Sequence, residues 1–306
     1  MSGPQQLAVV ITGAGSGIGL RAARQLAERG HRVFALCRDR RRGEDALARI
    51  NATAREPARL VLADMAELEG LDAVAASVAE HVDHLDVVIH NAANFDQSLR
   101  LPHRTAAGHE LIWATNHLGP FRLTAALSEL LRAAPRPKVI TVASKGLITM
   151  PRIRIRFDHL DGADWYSPTR AYYHSKLAQI MFSLELASRT AGGVDVTCVR
   201  VPAVRVDADR MAGMPWLLRM LYAPKNRLAA SPEDLAATYL RIAEGSADRP
   251  QGPDRPGEVV HGIYVDERER SVNAPAFACD PAARERLWSI TQAATGNPSW
   301  AWWDNR

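Results

Sequence analysis

Leu7-Ala-Val-Val-Ile11 runs directly into Thr12-Gly-Ala-Gly-Ser-Gly-Ile-Gly19, and this junction decides the fold. A short apolar run bounded by a glycine-rich turn reads as a buried strand, and the pattern that follows over 17–29 reads as a helix. Glycines let the backbone turn tightly and approach a pyrophosphate, whose charge is favoured at a helix N-terminus. Working outward, strand-like runs recur at 32–37, 58–63, 85–90, 138–143 and 194–200, with helical segments at 67–82, 104–133 and 168–190. Strands alternating with helices imply parallel strands joined by right-handed crossovers, with helices on both faces. The expected fold is therefore an α/β, doubly wound Rossmann sheet of about seven strands.

No repeat or low-complexity linker divides the chain, so residues 1–306 read as one dinucleotide-binding and catalytic domain. After residue 200 the pattern loosens. The apolar block Met214-Pro-Trp-Leu-Leu-Arg-Met-Leu-Tyr222 lies in a segment, 203–230, read as a helical cover over the carboxyl ends of the strands. The competing reading is a helix pair buried against the core. Ser231-Pro-Glu-Asp opens a further helix with Ser231 as N-cap. A last strand fits Val259–Val265, a last helix fits 281–294, and a Trp-rich tail occupies 295–306.

Composition narrows the functional classes. The chain has 47% hydrophobic and 24% charged residues, as a globular protein does. No apolar run approaches the ~20 residues of a membrane-spanning helix. The N-terminus reads as lacking a signal peptide, and Cys37, Cys198 and Cys279 lie far apart without metal spacing. The expectation is a reduced cytoplasmic protein with no metal. Net charge is +4, but the basic residues are scattered. The densest cluster, Arg38 with Arg40, Arg41 and Arg42, suits a local phosphate site or a solvated helix start better than a nucleic-acid surface. Only four of the 38 basic residues are lysine, a bias that hints at lysines kept for chemistry arginine cannot perform.

The spacing Thr12-Gly13-x-x-x-Gly17-x-Gly19 resembles the short-chain dehydrogenase/reductase family, and further matches extend over nearly the whole chain. Asp64 matches a residue that contacts adenine, Asn91-Ala92-Ala93 stands where the family has Asn-Ala-Gly, and Asn116, Ser144 and Tyr172-x-x-x-Lys176 match the catalytic set. Cys37-Arg38-Asp39, Asn116-His-Leu-Gly-Pro-Phe121 and Tyr173-His-Ser-Lys-Leu-Ala178 look most like the retinol dehydrogenase-like branch. The cofactor-binding residues implied by the resemblance are Gly13, Ser16, Gly17, Ile18, Gly19, Arg38, Asp64, Met65, Asn91, Ala92, Tyr172, Lys176, Pro202 and Val204. Where the family's NAD enzymes close the second strand with a carboxylate, this chain has Cys37 followed by Arg38, whose fork suits a 2′-phosphate. NADP(H) is the expected cofactor, with NAD(H) the alternative. Asp39, at ribose-binding distance from the glycines, competes with that assignment, or else serves as a turn residue or helix cap.

A carbonyl accepting hydride needs a proton donor and a group that holds its oxygen. Tyr172 and Lys176 are four apart, so on a helix both project from one face. An ammonium there favours phenolate formation. Tyr173, three from Lys176, is the rival acid; the four-residue spacing assigns Tyr172. His174 reads as a packing or surface residue and Ser175 as helix packing. The resemblance implies that Tyr172 exchanges the proton, Lys176 tunes it, Ser144 holds the oxygen and Asn116 supports a proton relay.

Three departures stand out: Ala93 for glycine, Ala203 for the glycine of Pro-Gly, and Val206 for a threonine that commonly bonds the cofactor. They weigh on cofactor affinity and argue mildly for a redox-silent nucleotide-binding regulator; a cyclase or dehydratase is the other alternative. Arg152-Ile-Arg-Ile-Arg-Phe157 reads as a solvated edge with one basic face, or as a site for an acidic substrate. The expected partner is a lipophilic carbonyl/alcohol substrate, with oligomeric state left open.

Overall fold

Residues buried on both sides make the apolar runs strands, because a parallel sheet covered by helices leaves neither face to water. The computed structural model describes residues 5–160, 162, 164–205, 229–245 and 263–302. In it the strands are β1 (Ala8–Thr12), β2 (Arg32–Cys37), β3 (Arg59–Leu62), β4 (Val87–His90), β5 (Lys138–Ser144), β6 (Asp195–Val201) and β7 (Tyr264–Asp266). They form one sheet in the order β3-β2-β1-β4-β5-β6-β7, and every neighbouring pair is parallel. The chain winds outward from β1 to β3, then restarts on the other side of β1 with β4. The loops leaving β1 and β4 therefore diverge and open a crevice at the carboxyl ends of the strands, where ligands bind in such sheets.

Helices α1 (Gly17–Glu28) and α2 (Arg40–Asn51) cover one face; α3 (Leu71–Ala79) covers the other. The sequence offers only the start of α2, as a helix start at Arg38–Arg42 with Asp39 as cap, because its buried positions are few and small: Gly43, Ala46 and Ile50 among arginines and acids. Asp39 starts it, accepting a hydrogen bond from the Arg42 amide at 2.8 Å. The segment expected as a helix over 67–82 is a 3₁₀ turn, Leu68–Gly70, followed by α3.

The long helix expected over 104–133 is broken. Its first part is loop up to Glu110, whose buried carboxylate accepts from the amides of Ile112 (3.0 Å) and Trp113 (2.8 Å) and so sets the true start. After it come α4 (Leu111–Trp113), a π-helical turn (Ala114–Leu118), α5 (Gly119–Ala126) and α6 (Ser128–Ala133). Gly119 lies hard against the Met65 carbonyl, where any side chain would collide with backbone.

Helix α7 (Pro168–Thr190) packs on β5 and β6, and α8 (Pro232–Glu244) lies beside α1 on the opposite face. Ser167 and Ser231 cap their amino ends. Helix α9 (Pro281–Ala294) and Trp300 cover α5 and α7: Trp300 is buried and its ring centroid lies 5.0 Å from those of Phe121 and Trp288. The Trp-rich tail thus packs over the fold as far as Trp302. In the cover segment, Val204 bridges to Ala230; Val206, the 214–222 block and residues 259–262 of the expected last strand lie outside the described residues.

No described helix is long and apolar enough to cross a membrane, and no metal-ligand cluster occurs among the described residues.

Candidate active site

The glycine turn leaves β1 and is pinned to the end of β4. Gly13 and Gly17 have φ of +69° and +58°, in the left-handed region that side chains rarely adopt. Gly19 sits so close to the Asn91 amide and the Gly13 carbonyl that a Cβ would overlap both. The Asn91 side chain donates to the Thr12 carbonyl at 3.1 Å, and the Ala92 amide donates to the Thr12 hydroxyl at 2.9 Å. Nothing stands within 4 Å of the position a Gly17 Cβ would take, and Ser16, at the helix N-cap, is exposed without a side-chain capping bond. Side-chain-free backbone facing open space at a helix N-terminus fits a pyrophosphate. Ile18 and Val204 are partly buried against the adjoining core.

Cys37 ends β2 with its side chain buried beside Gly15, and burial pushes its thiol up to about 11. Arg38 follows, exposed, with Nε 3.7 Å from the Asp64 carboxylate at the end of β3. Asp39 is occupied as the cap of α2. The Met65 side chain is buried in the core and its carbonyl lies against Gly119 of α5.

At the other end, β5 delivers Ser144 and α7 delivers Tyr172 and Lys176. The Tyr172 phenol is not lowered, contrary to what the neighbouring ammonium suggests from sequence: burial pushes it up to about 12, opposed only by its hydrogen bond with Ser144. The Phe95 ring packs against the Tyr172 ring, tilted by 33°, with centroids 4.1 Å apart. Lys176 is buried, donates to the Val142 carbonyl at 2.7 Å and lies 5.6 Å from the Tyr172 ring centroid. Burial lowers its pKa from the usual 10.5 to about 8. Tyr173 turns the other way, its hydroxyl packed on Gly146. His174 is a packing residue, wedged between Trp113 and Trp165 and accepting from the Arg156 amide at 3.0 Å; burial lowers its pKa to about 3.

Asn116 sits in the π-helical turn, an irregularity that recurs at functional sites. Its side chain clamps the loop after β4, accepting from the Asn94 amide at 2.6 Å and donating to the Asn94 carbonyl at 3.0 Å. Its second amide proton goes to the Ser175 hydroxyl at 3.0 Å. Its own carbonyl accepts from Gln179. Sequence reading passed over Gln179 and set Ser175 aside, although Gln179 stands three residues after Lys176, a neighbouring position on one helix face. The Arg152–Phe157 strip has exposed arginines over buried Ile155, and Arg154 and Arg156 lie over the rings of Phe277 and Trp165.

A family model described as short chain dehydrogenase matches residues 7–154. Human retinol dehydrogenase 12 is 32% identical over 286 residues, covering 92% of this chain and 84% of the relative. Mouse retinol dehydrogenase 11 is 35% identical, covering 77% and 73%. Among solved structures, a protein from Mycobacterium paratuberculosis superposes with a TM-score of 0.66 at 28% identity, covering 95% of this chain and 93% of that one. A Shigella flexneri short chain dehydrogenase crystallised with NADP gives 0.61 at 20% identity, covering 87% and 98%.

The chain belongs to the short-chain dehydrogenase/reductase family. Its curated relatives place it in the retinol dehydrogenase-like branch, and the family's members are NAD(P)-dependent oxidoreductases acting on CH-OH groups. Two departures from the family pattern can be weighed structurally. Neither Ala93 nor Ala203 is among the described non-glycine residues with positive φ, and both are exposed. Each methyl is therefore accommodated without backbone strain. Val206, the third departure, lies outside the described residues.

Proposed function

We propose that this short-chain dehydrogenase/reductase interconverts a lipophilic ketone or aldehyde and its alcohol with NADP(H), using Tyr172 as the general acid/base. The observation that carries the reading is the meeting of Tyr172, Ser144 and Lys176 at the carboxyl end of β5, beside a side-chain-free glycine cradle. Bound NADP(H) supplies or receives the hydride. The turn Gly13–Gly19 would hold its pyrophosphate, and the Arg38 guanidinium would hold its 2′-phosphate.

In reduction the Tyr172 hydroxyl gives its proton to the substrate oxygen, which Ser144 holds by a hydrogen bond. A phenol raised to about 12 stays protonated until the oxyanion develops. The Lys176 cation, behind the ring, then stabilises the phenolate that is left. Asn116 keeps the loop after β4 and helix α7 in a fixed relation through bonds to Asn94, Ser175 and Gln179. A lipophilic substrate is supported by the exposed side chains of Phe95, which packs against Tyr172, and Ile148, in the turn after Ser144. The names of the retinol dehydrogenase relatives point the same way.

The test is a panel of apolar ketones and aldehydes with NADPH and NADH, followed by loss of the reduced-nicotinamide absorbance. Turnover with NADPH is expected. Cofactor binding with no turnover across the panel would overturn the assignment in favour of a redox-silent nucleotide-binding protein.

A further inference from the structure

Strand β6 carries an arginine that the catalytic set does not use. Residues 196 and 198 of β6 point into the core shared with α7, so Arg200, two further along, faces the same side. Strand β6 is registered so that Val201 lies beside Ser144 and Arg200 beside Ala143. The Cα atoms of Ser144 and Arg200 are thus roughly 6 Å apart, from one strand spacing and one residue of rise. Helix α7, which carries Tyr172 and Lys176, packs on that same face of β5 and β6, so the Arg200 side chain lies on the side of the sheet from which the reacting tyrosine comes.

The surroundings of this side chain are unusual. Arg200 is half-buried, its Nε is shielded from solvent without a hydrogen-bond partner, and it makes no ion pair among the described residues. Asp266, registered with Arg200 on β7, is taken by Arg270, whose Nε and Nη2 lie 3.0 and 2.7 Å from it. A guanidinium drawn partly out of water without an anion is costly, and a ligand carboxylate would offset that cost with two parallel bonds. Tyr264, on the same face of β7, is near enough for the Arg200 charge to oppose the rise that burial imposes on its phenol. Burial keeps that phenol protonated, so it retains a proton to donate.

The cofactor's phosphates belong elsewhere. The glycine turn follows β1, three strands from β6 in the sheet, roughly 14 Å away. Arg38 lies farther still, after β2. The Arg200 charge thus lies apart from the positions read for the cofactor's phosphates.

We propose that Arg200, aided by the Tyr264 hydroxyl, receives a carboxylate on the substrate, so that the favoured compounds are apolar carbonyl or alcohol compounds that carry an acid group a few carbons from the reacting carbon. This rests on the reading of the Tyr172 site as the reacting centre, but the carboxylate seat is testable without turnover.

Calorimetric titration of the NADPH-loaded protein with 5-phenylvalerate and with its methyl ester measures the seat directly. The acid should bind about 10-fold or more tightly than the ester. Arg200→Gln should abolish that preference by weakening the acid alone, and Arg200→Lys should keep part of it. Equal binding of acid and ester by the unaltered protein would overturn the proposal, as would equal losses for both in Arg200→Gln. Thermal melts of each variant identify misfolding, and the ester serves as the internal control for an intact pocket. The same comparison in turnover uses 3-benzoylpropionate and 5-benzoylvalerate with their methyl esters, read as kcat and KM for each. An acid preference that appears in KM and vanishes in Arg200→Gln supports the seat. Acid-selective binding lost in Arg200→Gln, with no ketone turned over, would leave the seat standing and refute the reductase reading instead.

Discussion

Replacing Tyr172 by Phe removes one oxygen and leaves the rest of the site in place. The ring keeps its tilted contact with Phe95 at 4.1 Å, its edge contact with Tyr173 at 5.4 Å and its place over Lys176. Ser144 loses the phenol but still accepts from the Gly146 amide at 3.2 Å, so no buried group is orphaned. The stability cost should therefore stay near the ~1 kcal/mol of one neutral hydrogen bond, a shift in the thermal midpoint of about 2–4 °C at most. Turnover should respond very differently. Among the described residues this hydroxyl is the phenol hydrogen-bonded to Ser144, and loss of a positioned general acid costs at least ~10²-fold, about 2.7 kcal/mol of barrier. Tyr173→Phe is the matched control, because that hydroxyl packs on Gly146 and should leave most of the rate. Both variants are to be assayed at saturating NADPH by reduced-nicotinamide absorbance, with melts in parallel. Near-normal turnover in Tyr172→Phe would refute the assignment of the acid. A dead Tyr173→Phe beside an active Tyr172→Phe would show that the neighbouring tyrosine performs the step.

Lys176→Met should abolish turnover yet raise the thermal midpoint at pH 7 by about 2–4 °C, since it removes a buried cation. Burial lowers the lysine from 10.5 to about 8, so between those values the unfolded chain holds a proton the folded chain has released; wild-type stability should rise with pH across about 8–10.5, and the variant should lack that rise in pH-dependent melts. Arg38→Ala should weaken NADPH about 10-fold while barely affecting NADH, read by fluorescence titration; equal losses would count against the 2′-phosphate contact. Trp300→Ala should destabilise the fold by about 3–5 kcal/mol in urea unfolding, because its fully buried ring packs on Phe121 and Trp288; a loss under about 1 kcal/mol would show that the tail is not part of the core.

How far the sequence reached is clearest from particular residues. Strand β1, the glycine turn and α1 were legible because their pattern is local: an apolar run, then glycines where the backbone needs positive φ, then a helix. The four-residue spacing of Tyr172 and Lys176 was legible for the same reason, as helix geometry alone puts them on one face. Of helix α2 only the start at Arg38–Arg42 and the Asp39 cap were legible, because a helix that buries only Gly43, Ala46 and Ile50 shows little apolar periodicity.

What only the tertiary structure decided depends on contacts between segments distant in sequence. The break of the 104–133 segment follows from the Glu110 cap and from Gly119 meeting the Met65 carbonyl, some 50 residues away. Asn116 acquires its setting from Asn94, Ser175 and Gln179, brought together by the loop after β4 and by α7. Asp39 stays a rival ribose ligand, though placed past the end of the strand, until the fold commits its carboxylate to the Arg42 amide. Arg200 looks like any strand arginine until the register sets it beside Ser144's neighbour and Arg270 takes Asp266 away from it. Local pattern carries backbone conformation, which nearby residues determine; pairing of charges and hydrogen bonds is determined by whichever groups the sheet order and the helix packing bring within about 3 Å.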